Sequence, residues 1–438
     1  MLDINFIRKN TKKVKQAVRD KGIDLNVDKL LEVDKKRREV IAKIDALRGE
    51  QKKISNEARN TQHGTRNKLI EKAKKIKFRL EKLEKEYAKV KSAYDGLMAR
   101  VPTVPSPNTP VGRGEKDNKE IYVRGKIPRF GFKPKNHIEI GKNLDILDLE
   151  RGAKVGGYRG YYVKNEGVLL MLGMMNFALR KMMKKGYRPM LPPTLVRGFS
   201  LFGSGYFKGM DYDPATDEIY QIASGDKEAD GRVSKEKKFL AGTAEPTLLA
   251  YYSGEVLKEK DLPLRLCGFS QCYRSEIGSY GKETKGLYRV HEFMKVEQVI
   301  LAETDVAKTN KLQEEMIKIS EELLSELGLP YRKLQICTGD MSPGKYRAFD
   351  LETWLPGLER WGETQSASNF LDWQARRLNV KYINSKGEKK FVYMLNNTAL
   401  ATPRTFIAIL ENYQQADGSV LVPKTLQKYV GKKVILPK

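Results

Sequence analysis

The chain has 438 residues, 40% of them hydrophobic and 31% charged, enough for two or more domains around sizeable cores. Its net charge of +27, with a pI near 9.6, points to a polyanionic partner and above all to nucleic acid, although a Lys-rich background would give the same sign. Cys267, Cys272 and Cys337 lack paired spacing and the three histidines are scattered, so neither a disulfide framework nor a zinc site is expected. The N-terminus has no apolar signal core and no run approaches transmembrane length, which gives the expectation of a cytoplasmic protein without membrane contact.

In chain order, residues 1 to about 28 read as a short helical lead-in. A heptad pattern follows, with Val33, Val40, Leu47 and Ile54 seven apart and Ile44 and Ala58 on the same seam. Polar Arg37 and Gln51 interrupt it. A linker is expected from Asn60 to Arg66, around Gly64. The second run is cleaner: Leu69, Ala73, Ile76, Leu80, Leu83, Tyr87, Val90, Tyr94, Leu97 and Val101 alternate steps of four and three. Two such helices of about 30 residues predict an antiparallel hairpin reaching roughly 45 Å. The first hundred residues hold 29 Lys and Arg against 15 Asp and Glu, about half of the whole positive excess. A solvated helix face would look much the same; the positive bias favours contact with RNA phosphates.

The segment VPTVPSPNTPVGRGEKDNKE, 101–120, is rich in Pro, Gly and polar residues and marks a domain boundary. NEGVLLMLGMMNFALRKMMKKG, 165–186, reads as an amphipathic helix whose methionines pack a core. In GYRPMLPPTL, 186–195, Pro193 beside a strand suits a sheet edge or an interface. The charged stretch 225–238 reads as a surface loop. GTAEPTLL, 242–249, fits a helix start with Glu245 in the first turn.

In CYRSEIGSYGKETKGLYRVHEFMKVEQ, 272–298, Arg274 and Arg289 flank a glycine-rich loop between two strand-like runs, with Cys272 packed beside the first. An antiparallel hairpin of this kind can aim guanidinium forks at phosphate. It can also set Phe293 against a purine and Glu297 against an amine, because alternate strand residues share a face. Residues 304–330 form a helix ended by Gly328 and Pro330. After FDLETWLPG, 349–357, the stretch WGETQSASNFLDWQARR offers Glu363 and Ser366 as hard oxygen donors, and Asn369–Arg377 reads as a helix on the sheet. TPRTFIAILENYQ, 402–414, is a strand-to-helix element with Arg404 at its start.

In order and detail these segments resemble the class II aminoacyl-tRNA synthetases, and within them the zinc-independent seryl family of bacteria and eukaryotes. The resemblance runs from the helical arm to Arg404. It implies an α+β fold: an antiparallel two-helix coiled coil (1–105, tRNA binding), then a catalytic domain (106–438) with a mostly antiparallel sheet flanked by helices. It implies a ligase that activates L-serine with ATP and Mg²⁺ and transfers the seryl group to the 3′ end of serine tRNA, selenocysteine tRNA staying open as a second acceptor. The stretch around Pro193 corresponds to the family's dimer motif, so a homodimer is implied, and the arm would bind the long variable arm of serine tRNA.

By the same resemblance Arg274, Arg289 and Arg404 carry catalysis. Arg274 grips the α-phosphate and the substrate carboxylate, Arg289 the distal phosphates, and Arg404 the γ-phosphate. Ser275, Glu276, Val290 and Phe293 line the nucleotide, with Glu276 at its adenine or ribose end and Phe293 stacked on adenine. Glu363, Thr364, Gln365 and Ser366 complete the ATP site, Glu363 and Ser366 holding the metal. Thr243, Ala244, Glu245, Arg274, Glu297 and Thr398 contact serine, Glu297 accepting from its ammonium and hydroxyl. No side chain stands out as a general base.

The chain departs from the family in two places. Asn397, Thr398 and Ala399 stand where a Gly-Ser-Gly run is usual, and Thr402-Pro403 precede Arg404, a change that bears on backbone geometry and pocket width. Glu292 replaces a common glutamine, which predicts extra negative charge near the phosphates. Two other functions stay open at this point. One is an amino-acid-activating enzyme serving a carrier protein; the other is a non-catalytic RNA-binding paralogue.

Overall fold

The computed structural model describes the chain except for residues 60–62, 224, 226, 228–229, 235 and 278–284, and leaves the side chains of 63–66 undescribed. The chain divides into two compact units, one of Leu2–Arg19 with Ile23–Val101, the other of Pro102–Lys438 with Met1 and Asp20–Gly22.

The helical unit opens with α1 (Ile4–Lys9) and α2 (Thr11–Asp20), followed by two long helices, α3 (Val27–Arg59) and α4 (His63–Ala99). At 1.5 Å per residue the long pair spans about 50 Å or slightly more. Their seam follows the heptads: Val40, Ile44, Ile54, Ile76 and Leu80 are buried, with Leu47, Leu69, Ala73, Leu83 and Tyr87 packed against them. Ion pairs Arg48–Glu84 and Lys72–Glu50 run across an antiparallel pair. The seam breaks at Arg37 for a reason visible only in three dimensions. Val33 is half-buried, and the neighbouring Asp34 is buried instead, gripped by Arg8, Arg37 and Arg38. Arg37 also lies 4.3 Å over the Tyr94 ring of α4, so the polar position is held by charge pairing and a cation–π contact. Of the expected 60–66 linker, residues 60–62 lie outside the described residues, and from His63 onward the backbone is helical where a linker was expected.

In the larger unit β1 (Lys119–Arg124) follows the Pro-rich stretch. Next come α5 (His137–Asn143), β2 (Leu147–Asp148), α6 (Leu149–Gly156), β3 (Tyr162–Val163) and α7 (Glu166–Lys184). β4 (Arg188–Met190), β5 (Leu195–Arg197), α8 (Gly198–Ser204), β6 (Tyr220–Gln221) and β7 (Lys238–Leu240) lead to α9 (Glu245–Ala250) and β8 (Val256–Lys258). The central pair is β9 (Leu264–Tyr273) and β10 (Glu292–Ala302), followed by α10 (Val306–Glu326) and β11 (Tyr331–Gln335). β12 (Arg347–Leu355), β13 (Arg360–Leu371), α11 (Trp373–Leu378), β14 (Lys381–Ile383) and β15 (Lys389–Phe391) precede β16 (Tyr393–Ala401) and α12 (Thr402–Asn412). β17 (Val420–Leu421), α13 (Gln427–Val430) and β18 (Val434–Ile435) close the chain.

Eight strands form the main sheet in the order β1-β11-β12-β13-β16-β10-β9-β4, antiparallel except for the β4–β9 pair. β4 is an edge strand, and Pro193 follows it in an exposed connection where no ladder bond is lost. α7, α10 and α12 pack on the sheet. Met171, Met174, Met175 and Met182 of α7 are buried in the core, as their spacing predicted. α10 starts at an Asp305 cap whose carboxylate accepts from the Lys308 amide.

Two ladder irregularities matter for the site. Between β12 and β13, Leu351 pairs with Gln365 and Glu352 with Glu363, so Thr364 is an extra residue. Between β10 and β16, Val296 pairs with Leu400 and Glu297 with Thr398, leaving Ala399 extra. Each bulge shifts the in–out alternation by one residue. Further along β13 the expected helix at Asn369 is not formed. The strand continues through Leu371 because Asn369 stays paired with Arg347 and Leu395, and α11 begins only at Trp373.

Candidate active site

The β9–β10 hairpin supplies the base of a cleft. Its arginines sit beyond the ladder, not within it: β9 ends at Tyr273 and β10 starts at Glu292, so Arg274, Glu276 and Arg289 belong to the connecting segments. The shared strand face expected for Phe293 and Glu297 therefore does not extend to these three. Only Phe293 and Glu297 lie on the strand, with Lys295 between them on the same face. The apex of the connection, 278–284, lies outside the described residues.

The cleft is lined by Arg274, Glu276, Tyr288, Arg289, Val290, Phe293, Lys295, Glu363, Thr364, Thr398, Ala401, Pro403 and Arg404. Nine of the residues expected from sequence thus converge, and Tyr288, Lys295, Ala401 and Pro403 join them. Arg274 lies 5.5 Å over the Phe293 ring, and its Nε donates to the Gly242 carbonyl. Glu276 takes the left-handed backbone region at φ 55°, which is unusual for a non-glycine residue. Its carboxylate there lies 3.3 Å from Arg289 and 3.6 Å from Arg159.

Arg404 occupies the first turn of α12, where helix N–H groups and guanidinium add positive potential together. It bonds the Glu363 carboxylate and the Glu363 carbonyl, both at 2.9 Å, and the Tyr288 carbonyl at 3.2 Å. The Tyr288 ring is stacked between two guanidiniums, Arg404 at 4.4 Å and Arg360 at 4.5 Å. Burial pushes the Glu363 carboxyl upward, but the charge and hydrogen bond of Arg404 outweigh it and the net shift is downward.

The bulge at Thr364 decides where the oxygen donors point. In a regular strand residues three apart face opposite sides; the extra residue returns Ser366 to the side of Glu363. Asp350, paired with Ser366 across the ladder, hydrogen-bonds its side chain and senses the Glu363 charge. Burial first, and Glu363 second, push the Asp350 carboxyl up to about 8. Its Oδ1 is buried with no hydrogen-bond partner among the described residues. This donor set is compatible with a hard cation bridging to phosphate. Thr364 lines the cleft, but its hydroxyl is engaged with Thr353 and the Leu351 carbonyl. Gln365 is buried, bonded to the Thr364 hydroxyl, and away from the cleft lining.

Next to Lys295 and Thr398 of the cleft lies a buried acidic cluster. Glu297 pairs with Lys295 at 2.7 Å and accepts from the Thr398 hydroxyl at 3.3 Å. Glu245 heads α9, and its Oε1 accepts from Gln374 and Asn396, each at 2.7 Å. Burial, then repulsion from Glu297, pushes its carboxyl up to about 7. Thr243 is 1% exposed, and its hydroxyl has no hydrogen-bond partner among the described residues; it does not cap α9, whose cap position is Ala244. The Ala244 side chain faces a hydrophobic core, so only its backbone could serve a ligand. The hydroxyl of Ser275, which follows Arg274 in the chain, is likewise buried and unpartnered among the described residues.

The structure gives each sequence departure a place. Asn397 points to α10, donating to the Met316 carbonyl and to Ser320, and Ala399 packs in the core. Thr398 alone of the three faces the pocket. Ala399 occupies the bulge without a positive φ, so no glycine is required there. The Thr402 hydroxyl bonds the Met294 amide and carbonyl and ties β10 to α12. Glu292 does not line the cleft: it accepts from Gln271 and lines a separate groove with Tyr161 and His291. Its charge therefore falls outside the cleft on which the arginines converge. Lys295 was legible from the Phe293–Lys295–Glu297 alternation, whereas Tyr288 and Arg360 had no local signal.

Residues 1–105 match the Seryl-tRNA synthetase N-terminal domain, and residues 228–413 match the tRNA synthetase class II core domain (G, H, P, S and T). A serine–tRNA ligase of Borrelia garinii subsp. bavariensis is 39% identical over 437 residues, covering 98% of each chain. One from Dictyoglomus turgidum is 39% identical over the full length of both. Among solved structures, the seryl-tRNA synthetase from Pyrococcus horikoshii complexed with ATP superposes with a TM-score of 0.87 at 37% identity, covering both chains fully. The cytoplasmic serine-tRNA ligase from Naegleria fowleri in complex with AMP gives 0.84 at 31% identity, covering 100% of this chain and 99% of that one. The chain belongs to the seryl-tRNA synthetase family of class II aminoacyl-tRNA synthetases.

Proposed function

We infer that the protein is a serine–tRNA ligase: it activates L-serine with ATP and charges serine tRNA. The observation that carries this is the convergence of Arg274, Arg289, Arg404 and Phe293 on one cleft that is also lined by Thr398, whose hydroxyl donates to the buried Glu297. In the first step the serine carboxylate attacks the α-phosphate in line and pyrophosphate leaves. In the second, the 3′-terminal hydroxyl of tRNA attacks the acyl carbon and AMP leaves.

Arg274 holds the α-phosphate and serine carboxylate, while Arg289 and Arg404 hold the distal phosphates. All three neutralise charge that grows in the transition state. Phe293 stacks the purine, with Glu276, Ser275 and Val290 around the nucleoside and Thr364 and Gln365 supporting the β13 wall. Glu297, paired with Lys295, accepts from the serine ammonium and hydroxyl. Thr243, Glu245 and Thr398 complete the pocket with the Ala244 backbone. A substrate without the hydroxyl leaves buried polar groups unpaired, which is the basis of selection. Glu363 and Ser366 would hold Mg²⁺, which would supply charge neutralisation at the phosphates.

Residues 1–105 form the tRNA-binding part and 106–438 the catalytic part. The basic arm recognises the long variable arm of serine tRNA through shape and phosphates. The enzyme acts in the cytoplasm as a homodimer. Support for the dimer comes from outward apolar residues around the β4 edge: Leu191 at 80% exposure, and Leu169 and Leu172 of α7 at 45% and 48%. No helix among the described residues is long and apolar enough to cross a membrane.

The test is serine-dependent ATP–pyrophosphate exchange with alanine, threonine and cysteine as controls, followed by charging of serine tRNA. Exchange confined to serine supports the assignment. Folded protein with Mg²⁺ that exchanges with no amino acid would point instead to a non-catalytic RNA-binding role.

A further inference from the structure

We propose that His137 and Glu411 form a buried brace that positions the phosphate-binding side of the cleft, making His137 a positioning residue for ATP. Both are buried, His137 at 2% and Glu411 at 0% exposure, and neither lines the cleft. Glu411 lies on α12 seven residues after Arg404, two helical turns along the same side. Its Oε1 accepts from the His137 amide at 2.9 Å and lies 3.0 Å from His137 Nδ1. Its Oε2 accepts from the Gly357 amide at 2.9 Å, in the turn joining β12 to β13. On the far side of the imidazole, the Leu287 amide donates to Nε2 at 3.1 Å.

An amide can only donate, so Nε2 is the acceptor and the ring proton sits on Nδ1, facing the carboxylate. One His–Glu pair therefore joins three pieces of the cleft: the helix bearing Arg404, the turn leading to Glu363, and the segment leading to Tyr288 and Arg289. The fit is close. A Cβ on Gly286, at φ +76°, would stand 2.2 Å from His137 Nε2, so the chain passes directly over the ring. Two residues on, Tyr288 returns the contact by accepting from Arg404 and stacking on it. The loop that delivers Arg289 and the helix that delivers Arg404 are thus spaced by a group outside the substrate's reach. A buried hydrogen-bonding network of this kind fixes one arrangement of the parts it joins.

The inference rests on the reading of the cleft as the ATP site, and the two can be tested separately. Wild-type protein, H137N and H137Q are compared in pyrophosphate exchange, with KM measured for ATP and for serine. Asn keeps a donor towards Glu411 but cannot reach Leu287; Gln places an oxygen near the Nε2 position. The expected result for H137N is a KM for ATP raised up to about tenfold, the scale of one lost buried hydrogen bond, with the serine KM within about twofold. H137Q should recover most of that loss. A purely structural role would move both constants together, and that outcome, or an unchanged ATP KM in folded H137N, overturns the proposal. If H137N does not fold, E411Q is judged by the same split from the helix side. A wild-type protein without exchange would sink the ATP reading itself, and the brace with it.

Discussion

Replacing Glu245 with Gln should stabilise the protein in a strongly pH-dependent way. The Glu245 carboxyl is raised from 4.5 to about 7, chiefly by burial and then by Glu297. Its folded-state pKa exceeds its unfolded value, so the folded state holds the proton more tightly. Below about pH 4.5 the group is protonated in both states and costs nothing. Between there and pH 7 the unfolded chain ionises first, and stability falls as pH rises. Above pH 7 the full penalty applies, about 3 kcal/mol at 1.36 kcal/mol per pKa unit. Gln retains the oxygen that accepts from Gln374 and Asn396 and removes the charge. With an unfolding entropy of roughly 0.7 kcal/mol/K for a unit of this size, the variant should melt about 4 °C higher than wild type at pH 8 and nearly level with it at pH 5. Thermal melts from pH 5 to 8 measure this directly. Saturating serine should narrow the gap, because its ammonium offsets the buried charge in the wild type only. A gap that stays constant across the pH range would show that the Glu245 proton is not linked to folding and would refute the argument.

Three further outcomes follow from the geometry. R404A should keep its fold and lose at least about a hundredfold in exchange rate, since it removes the clamp that joins Glu363 to Tyr288; a loss under threefold would place the distal phosphates elsewhere. N397G, which restores a family glycine, should cost about 1–3 kcal/mol in a melt through its bonds to Met316 and Ser320, with the serine KM within about twofold. A large KM change would mean that Asn397 shapes the pocket after all. E292Q should leave the ATP KM within about twofold, because that carboxylate answers Gln271 outside the cleft; a clear fall in KM would return Glu292 to the phosphate side.

Much of the architecture could be read from periodicity. The arm helices, α7 and α10 announce themselves through heptads or an amphipathic stripe, and the β9–β10 pair through strand-like runs around a glycine-rich loop. The arginines, Phe293 and Glu297 could be placed because they flank or alternate along that hairpin. What stayed hidden depends on partners distant in sequence. Asp34 looks like an ordinary surface acid until Arg8 and Arg37 close on it. Asn369–Leu371 carries no clear strand signal and is extended because two neighbouring strands pair with it. Tyr288 gains its place from Arg360 and Arg404, and His137 from a glutamate 274 residues away. The positions of Asn397 and Ala399 could not be decided from alternation, because a bulge between Thr398 and Leu400 breaks the rule on which such a reading relies.

Thr364 is a residue that the ladder does not count. Glu363 and Ser366 are three apart along the chain but two apart in paired positions, and the second number fixes the side on which they stand. A strand without the bulge would present the same two oxygens from a Glu–x–Ser sequence, and a Glu–x–x–Ser sequence would separate them. Spacing in a sequence motif and spacing on a surface are therefore different coordinates, related by the local register. Searches for equivalent oxygen pairs on other sheets should be posed in rungs of the ladder, since chains whose motifs look unrelated by residue count can display one and the same face.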